Sequence, residues 1–321
     1  MESPQNLKKR LKSVNNIGQI TKAMELVSAT KMRKSQQIAL DSRPYSFAAL
    51  DFLATVSALE NQKLPELFGE KYLPAGRQVK RVLFVLVTSD KGLAGAFNSS
   101  IFKKFESHLK IEKEEWQKEK HLYIAVGEKS YAYLAKKNLK VLKKFTSVGD
   151  FTTTEQVKPL SDFLVKGYLN KDFDRVVVIS THFRSALKQE PHIRRILPID
   201  FDHIADTIKE IIPERGKFAD LIKEQNINFV PSKTELKEYT IEPKPEKVLE
   251  KLAEHLFFMQ VYHLILEANA SEHSARRMAM KTASDNASDL GEALNLQYNK
   301  SRQSRITTEI SEISAGAEAL N

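Results

Sequence analysis

The chain carries, near each of its ends, a stretch of sequence that can form one very long helix. Residues 246–321 contain no proline and only two glycines, and residues 5–43 are interrupted only by Gly18. At about 1.5 Å per residue, a continuous helix over residues 246–321 would be on the order of 110 Å long. Helices of globular domains average about three turns, so a compact domain has no use for one of this length. The sequence predicts two long terminal helices that enclose a shorter segment.

Apolar residues recur at helical spacing in both stretches. In the first stretch, steps of three or four residues predict one apolar face: Leu7, Leu11, Val14, Ile17, Ile20, Met24 and Val27. The pattern resumes after Pro44, so we expect a bend there and a coiled-coil helix over residues 1–60. The second stretch is predicted as a coiled-coil helix over residues 246–321. It closes on heptad steps of four and three: Ile306, Ile310, Ile313, Ala317 and Leu320.

Strand-like and helix-like segments alternate between these two stretches. Strands are predicted at residues 82–87, 122–126, 140–145 and 175–180, with a further candidate at 193–199. Helices are predicted at residues 98–120, 128–138 and 155–170. Such alternation implies a layered, mostly parallel α/β sheet. We therefore predict a Rossmann-like α/β domain over residues 78–200, followed by an irregular connection over residues 201–245.

Two features of this domain suggest chemistry but do not complete a site. The segment SDKGLAGAFN (89–98) lies between a strand and a helix, where free N–H groups can bind an anion. Gly92 and Gly95 fit neither the phosphate-loop nor the dinucleotide-loop spacing, so a tight structural turn is the better interpretation. A second group of basic residues could resemble an anion-binding site: His182, Arg184, Arg194 and Arg195. No nucleophile and no acid–base pair stands near them in the sequence, so they do not indicate catalysis. We expect no catalytic residues, no cofactor and no metal, with His255, His263 and His273 packed or solvated.

The charge of the chain is uneven. The net charge is +9, and residues 1–40 hold eight basic residues against two acidic ones. A basic helix can bind nucleic acid, an anionic membrane or an acidic protein surface, and it can also be a solvated face. The run lacks aromatic residues, which disfavours single-stranded nucleic acid. The chain has no cysteine and no apolar run near the roughly 20 residues of a membrane span, so we expect a soluble, cytosolic-side protein.

Motifs near both ends resemble one known family. The segment ITKAMELVSATKMRKSQ (20–36) closely resembles the N-terminal helix of the γ subunit of F-type ATP synthases. ASEHSARRMAMKTASDNA and LNLQYNKSRQSRITTEISEISAGAEAL resemble its final helix. The signature of that helix is met by Ile306, Thr307, Glu309, Glu312, Gly316 and Ala317. TSDKGLAGAFN and the QEPHIRRILP segment, interpreted as a turn, resemble landmarks of the middle domain, so the match covers nearly the whole chain.

The resemblance implies a rotor. The two terminal helices would form an antiparallel coiled coil inside a ring of three α and three β subunits. The α/β domain would form the foot with the ε subunit on the membrane c-ring. One copy per complex is implied, peripheral on the cytoplasmic face of a bacterial plasma membrane, with no membrane insertion and no nucleic acid. Ion flow would turn the shaft and set the conformation of each β subunit, while this chain itself would catalyse nothing.

The resemblance also implies contact residues. Arg302, Gln303 and Thr307 match the rotor–stator contact positions of the family, and Ile310 and Ile313 would face the apolar sleeve of the ring. Met24, Arg33 and Lys34 match the segment that faces acidic loops of β, although Met24 fits the helix seam equally well.

The sequence departs from the family at three places. Gly95-Ala96 replaces the frequent Gly-Gly pair, the cysteine pair of the chloroplast type is missing, and residues 201–240 look longer than usual. Two other function classes are weighed: a small-molecule enzyme built on the α/β domain, and a basic coiled coil that binds nucleic acid. The absent phosphate fingerprint disfavours the first, and the regular apolar tail disfavours the second.

Overall fold

The structure, a computed structural model, describes residues 3–41, 45, 79–111, 120–199, 242 and 244–318. The chain divides into two compact units. The first, here called the helical unit, consists of Met1–Ser28 and Arg276–Asn321. The second, the α/β unit, is Ala29–Ala275. Two long helices, α1 (Pro4–Asp41) and α5 (Pro245–Glu318), contribute residues to both units.

The two helices run antiparallel in the helical unit. A Cβ built on Gly18 would lie 3.5 Å from the Cβ of Ala287, and one built on Gly291 would lie 3.2 Å from Oδ1 of Asn15. The residue numbers of the contacting positions thus decrease along α1 as they increase along α5. The side chain of Ser284 donates to the carbonyl oxygen of Gly18. The predicted antiparallel pair of terminal helices is confirmed, and small residues let its two backbones approach closely.

The seam of the helical unit differs from the apolar face predicted for α1. Its more buried positions follow alternating steps of four and three: Leu7, Leu11, Val14, Gly18, Thr21, Glu25 and Ser28. Ile17, Ile20 and Val27, which the sequence pattern places on the apolar face, are exposed, Ile20 by 59%. The prediction was wrong there because Gly18, Thr21 and Ser28 carry no apolar signal. The steps average 3.5 residues, the spacing that keeps one stripe facing a partner helix along a coiled coil.

The α/β unit is built on a five-stranded sheet. Strands and helices alternate along the chain as β1 (Arg81–Val87), α2 (Phe97–Ile111), β2 (Lys120–Val126), α3 (Glu128–Lys136), β3 (Val141–Phe145), α4 (Thr154–Leu169), β4 (Arg175–Phe183) and β5 (Gln189–Leu197). The strand order is β3-β2-β1-β4-β5, with β5 antiparallel to β4 and the other pairs parallel. The predicted Rossmann-like, mostly parallel sheet is confirmed.

Both faces of the sheet are covered. Alternate residues of β1 point to opposite faces, as the period of a strand requires. Leu83 and Val85 belong to a core shared with α4 and α5, while Phe84 belongs to a second core with Ile101 and Phe105 of α2. Burial on both faces explains why β1 reads as a continuous apolar run.

The segment QEPHIRRILP does not form the predicted turn. It forms β5 at the edge of the sheet, where Pro191 lies opposite Thr181 of β4. The turn precedes it, and there Ser185 and Lys188 exchange backbone hydrogen bonds of 3.1 and 3.2 Å. Proline is tolerated in an edge strand because its missing N–H is not needed by a further strand.

Two predictions lie outside the described residues. They are the continuation of the first helix past Pro44 and nearly all of the irregular connection over residues 201–245.

Candidate functional site

The C-terminal part of α5 is exposed on every side. Each residue from Arg302 to Ala317 is solvent-exposed, so this segment packs on nothing in the described part of the chain. It nevertheless presents large apolar side chains at heptad spacing: Ile306, Ile310 and Ile313, the last exposed by 73%. A helix that carries an apolar stripe without a core to cover it is typical of a surface that binds a partner.

Five of the predicted contact residues lie on this segment. Arg302, Gln303, Thr307, Ile310 and Ile313 are all exposed. The hydroxyl of Thr307 donates to the backbone carbonyl of Gln303 at 3.0 Å, one turn earlier. This bond orients the Thr307 side chain along the helix and leaves the Gln303 amide group exposed.

The other three predicted contact residues lie on α1. Met24 is half-buried beside the seam of the helical unit, whereas Arg33 and Lys34 are exposed and belong to the α/β unit. The half-burial of Met24 fits both of the interpretations left open by the sequence, a seam residue and a contact residue.

The helical unit exposes further apolar side chains that the sequence analysis did not assign to a partner surface. They are Ile17, Ile20, Leu26 and Val27 of α1, and Leu290 and Leu296 of α5. The signal was present, because a 3.5-residue spacing through Leu7, Leu11 and Val14 leaves Ile17, Ile20 and Val27 outside the seam. With the three isoleucines above, these side chains give the surface of the helical unit nine exposed large apolar groups.

The basic excess of α1 lies at the surface. The acidic Glu25 is buried, and Nζ of Lys22 contacts its Oε2 at 2.9 Å. Lys8, Lys9, Arg10 and Lys12 are exposed on the first turns of the helix. The charge and the exposed apolar groups together fit a partner whose surface is partly apolar and partly acidic.

The loop after β1 contains a carboxylate, that of Asp90, which accepts hydrogen bonds from nearby backbone N–H groups. Oδ1 of Asp90 accepts the backbone N–H of Glu128 at 3.1 Å, and Oδ2 accepts that of Ser147 at 2.9 Å. The Asn98 side chain accepts the backbone N–H of Ser89 at 3.1 Å. At the start of α3 the N–H of Glu128 is therefore used within the chain, and at the start of α2 the N–H of Phe97 donates to the carbonyl oxygen of Ala94 at 3.1 Å. This geometry matches the structural turn predicted for residues 89–98.

The basic group predicted in the sheet also has an internal counter-ion. The carboxylate of Glu267 in α5 lies between His182, whose Nδ1 is 2.9 Å from Oε1, and Arg194, whose Nη1 is 3.0 Å from Oε2. Arg184 instead pairs with Glu190 at 2.6 Å, and Arg195 is exposed. Sequence reasoning found His182 and Arg194 but missed Glu267, which is 70 or more positions away in the chain.

The described part of the chain contains neither a cluster of metal ligands nor a membrane-spanning helix. Among residues 3–41, 79–111, 120–199 and 244–318, no group of three or more His, Cys, Asp or Glu side chains is placed to hold a metal ion. None of the helices described there has the length and apolar character needed to cross a membrane.

Known proteins match the chain over its whole length. The family model described as ATP synthase matches residues 3–320. The ATP synthase gamma chain of Roseiflexus castenholzii is 33% identical, covering 100% of this chain and 99% of the relative. That of Opitutus terrae is 36% identical, with 98% of each chain covered. A gamma chain of Acetobacterium woodii named sodium ion specific is 32% identical, covering 100% of this chain and 99% of its own.

Solved structures share the fold. A chain of the Euglena gracilis mitochondrial ATP synthase, from a cryo-EM structure of OSCP, F1 and c-ring, matches with a TM-score of 0.59 at 18% identity, covering 99% of this chain and 94% of that one. A chain of the central stalk and c-ring structure from Tetrahymena thermophila matches with a TM-score of 0.53 at 20% identity, covering 83% of this chain and 99% of that one.

Proposed function

The chain belongs to the ATP synthase gamma chain family, and from this premise we propose how it works within the enzyme. As the central rotor stalk of a bacterial-type F-type ATP synthase, it couples ion flow through the membrane c-ring to ATP synthesis and hydrolysis at the β subunits. Protons are the expected ion. The chain catalyses nothing itself and carries no cofactor.

One observation carries the proposal. Residues 302–317 form a helix that is exposed all round and still bears Ile306, Ile310 and Ile313. A surrounding ring of three α and three β subunits supplies the cover that such a segment needs, while a flat partner would cover one face only. The regular apolar stripe suits a shaft that must turn in an apolar sleeve.

The proposed contacts rest on the family resemblance, and all of them except the half-buried Met24 are exposed. Ile310 and Ile313 face the apolar sleeve, and Arg302, Gln303 and Thr307 form the rotor–stator contact just before it. Met24, Arg33 and Lys34 face acidic loops of the β subunits. The surface charge of α1 supports this assignment, because its acidic Glu25 is buried and its cations other than Lys31 are exposed.

Asymmetry gives the shaft its role. A partner shifts a conformational equilibrium only through contacts that differ between the states. To move a two-state population from 1:99 to 99:1, those contacts must differ by about 5.5 kcal/mol. Two antiparallel helices of different sequence, which expose both apolar groups and cations, present different surfaces to three identical β subunits.

The α/β unit is proposed as the foot of the rotor. It contacts the ε subunit and the c-ring, with one copy of the chain per complex. The complex is membrane-associated, and this chain is peripheral on its cytoplasmic face. The described helices provide no span of their own, which fits attachment through partner subunits.

Labelled rotation tests the proposal directly. The chain has no cysteine, so Leu187→Cys on the exposed β4–β5 turn (79% exposed) introduces a single thiol for a probe on the α/β unit. Reconstituted with α and β subunits, the labelled chain should enter the complex as one copy and rotate in one direction when ATP is added. A complex that hydrolyses ATP while the probe stays fixed, or that contains several copies, overturns the proposal.

A further inference from the structure

A buried carboxylate joins α5 to the two last strands of the sheet. Glu267 is 3% exposed, and its two oxygens separately contact His182 of β4 and Arg194 of β5 at 2.9 and 3.0 Å. The side chains of His182 and Arg194 are 5% and 12% exposed. One residue of the long helix therefore holds two neighbouring strands.

A contribution to stability does not by itself explain why three charged or polar side chains are buried together here. Removing charges from water costs free energy that their attraction often fails to repay, and a well-packed apolar cluster of equal volume is commonly as stable. Burial alone would raise the pKa of Glu267, but the hydrogen bond from His182 and the charge of Arg194 outweigh burial and hold this pKa below its ordinary value. The carboxylate is thus kept ionised inside the unit.

A second group of polar contacts holds the opposite side of the same helix. Nδ2 of Asn269 donates to the carbonyl oxygen of Val148 at 2.7 Å and to the Thr152 hydroxyl at 2.6 Å. The hydroxyl of Tyr262 donates to the Thr152 carbonyl oxygen at 3.1 Å. At about 100° per residue, Asn269 projects roughly 200° from Glu267, while Tyr262 and Asn269 share a face.

The side of Glu267 carries a further contact one heptad later. The Ser274 hydroxyl donates to the carbonyl oxygen of Ala186, in the β4–β5 turn, at 2.7 Å. On the side of Asn269, Nε2 of His273 lies 3.0 Å from the carbonyl oxygen of Gly149. This part of α5 is therefore held on two opposite faces, by the β4–β5 hairpin and by the loop of residues 148–152.

Hydrogen bonds resist rotation of a helix about its axis better than apolar packing does. Burial of apolar surface is non-directional, so a helix can turn a little about its axis without losing much of it. Hydrogen bonds weaken steeply with angle, and charge-assisted ones are the stronger kind. Bonds on opposite faces resist rotation in both senses.

We propose that the contacts of Glu267 with His182 and Arg194, opposed by those of Asn269, fix the rotational register of α5 on the α/β unit, so that torque passes through directional bonds. The inference rests on the proposed rotor function and makes Glu267 a positioning residue for coupling. It assigns no role in hydrolysis itself.

Glu267→Gln in the reconstituted membrane complex tests this inference. The amide keeps the shape and removes the charge. ATP hydrolysis and the amount of incorporated chain should stay near wild type, because neither requires torque to be transmitted from α5 to the α/β unit. Protons pumped per ATP should fall about twofold to thirtyfold, the range typical of a residue between two coupled sites. A probe on Leu187→Cys should also show a wider angular distribution during pauses.

Glu254→Gln is the matched control, since it makes the same change on the same helix in an exposed ion pair with Lys251. Exposed pairs contribute little, so this variant should behave as wild type. Glu267→Gln with wild-type pumping per ATP overturns the inference, as does a loss of pumping only in proportion to incorporation. If Glu267→Gln is not incorporated, Arg194→Lys, which keeps the charge but loses the guanidinium geometry, is judged by the same criteria. A wild-type complex that shows no coupling would instead overturn the rotor proposal.

Discussion

Gly127 shows how one residue fixes the junction between β2 and α3. Its φ of 91° and ψ of 151° lie in a region that is essentially restricted to glycine. A Cβ there would lie 2.2 Å from the backbone oxygen of Thr88, in the strand end next to it. The same junction receives the Asp90 carboxylate, which accepts the N–H of Glu128.

Gly127→Ala should therefore destabilise the α/β unit strongly. Backbone strain of this type costs about 1–3 kcal/mol, and the contact with the Thr88 oxygen adds to it because backbone cannot easily move. Gly92→Ala, in the neighbouring loop, is the control, since a Cβ there would meet nothing within 4 Å. Urea unfolding of the two variants should show a much lower midpoint for Gly127→Ala only. Equal midpoints would mean that the β2–α3 junction is not held as described.

Two histidines at the other end of the sheet make stability depend on pH. His108 and His121 both flank the ring of Phe84, with centroid distances of 6.0 and 5.3 Å. Burial lowers the pKa of both rings below the ordinary value. The folded chain therefore favours the neutral rings, whereas the unfolded chain protonates them near pH 6.5.

The free energy of unfolding should fall as the pH is lowered from about 7.5 to 5.5. The stabilisation is complete above the unfolded pKa and is lost as the pH falls through the lower folded pKa. One fully linked proton gives about 1.4 kcal/mol per pH unit, and the effect here should be smaller because both rings are partly solvated. Unfolding followed over this range in a His108→Gln/His121→Gln double variant should show a shallower slope. Some slope should remain from His255, whose pKa is also lowered by burial.

At the scale of the elements, substitutions at the exposed end of α5 test whether its function depends on the polarity of the side chain or on its shape. Replacing Ile313 with Leu conserves volume, which usually costs less than about 1.5 kcal/mol even in a tight core. In a sleeve in which the helix turns, we expect this change to leave ATPase activity unaltered. Ile313→Asp should weaken assembly or slow turnover, because a carboxylate would enter the sleeve without a fixed partner. Removal of residues 314–321 should do less harm than the aspartate.

The measurement is the ATPase activity and subunit yield of the three variants in the reconstituted complex. Ile313→Leu serves as the control for any change at this position. An aspartate variant with wild-type yield and activity would show that Ile313 does not lie in an apolar environment, and the proposed position of this segment would be wrong.

The sequence predicts an element well where burial and hydropathy coincide. β1, β2 and β4 were recognised because the central residues of strands covered on both faces form apolar runs. β5 was missed in part because Pro191 reads as a turn residue unless the strand is known to lie at an edge. The seam of α1 was misjudged because Thr21 and Ser28 are buried although neither carries an apolar signal in the sequence.

The candidate site was less predictable than the fold, for a physical reason. The proposed contact residues Arg302, Gln303 and Thr307 rest on resemblance alone, since an exposed residue of an isolated chain carries no local sign of what covers it, whereas Ile310 and Ile313 also follow from the heptad spacing. The polar residues Glu267 and Asn269 were overlooked because their partners lie more than 70 positions away, and such pairings depend on the finished sheet.

At the scale of the whole molecule, the α/β unit should bind no nucleotide in spite of its Rossmann-like strand order. Ligands of such sheets bind where the order reverses, here at the carboxyl ends of β1 and β4. Asp90 occupies backbone donors beside that point, and Ser271 of α5 contacts the carbonyl oxygen of Thr181 at 3.5 Å. A phosphate would meet a carboxylate and a helix. Equilibrium dialysis of the chain with ATP, ADP and NAD should detect no binding, and micromolar affinity for any of them would contradict this.

The exposed end of α5 also has a consequence for the stability of the newly made chain before it assembles with its partners. An isolated helix without packing is marginal in water, so residues 302–317 of a free subunit should fray. Frayed, apolar segments are what proteases cleave and what holdase chaperones bind. Newly made chains should therefore have a short half-life until a ring encloses them. Cells would then keep few unassembled rotors, and the abundance of the chain would follow that of its partners.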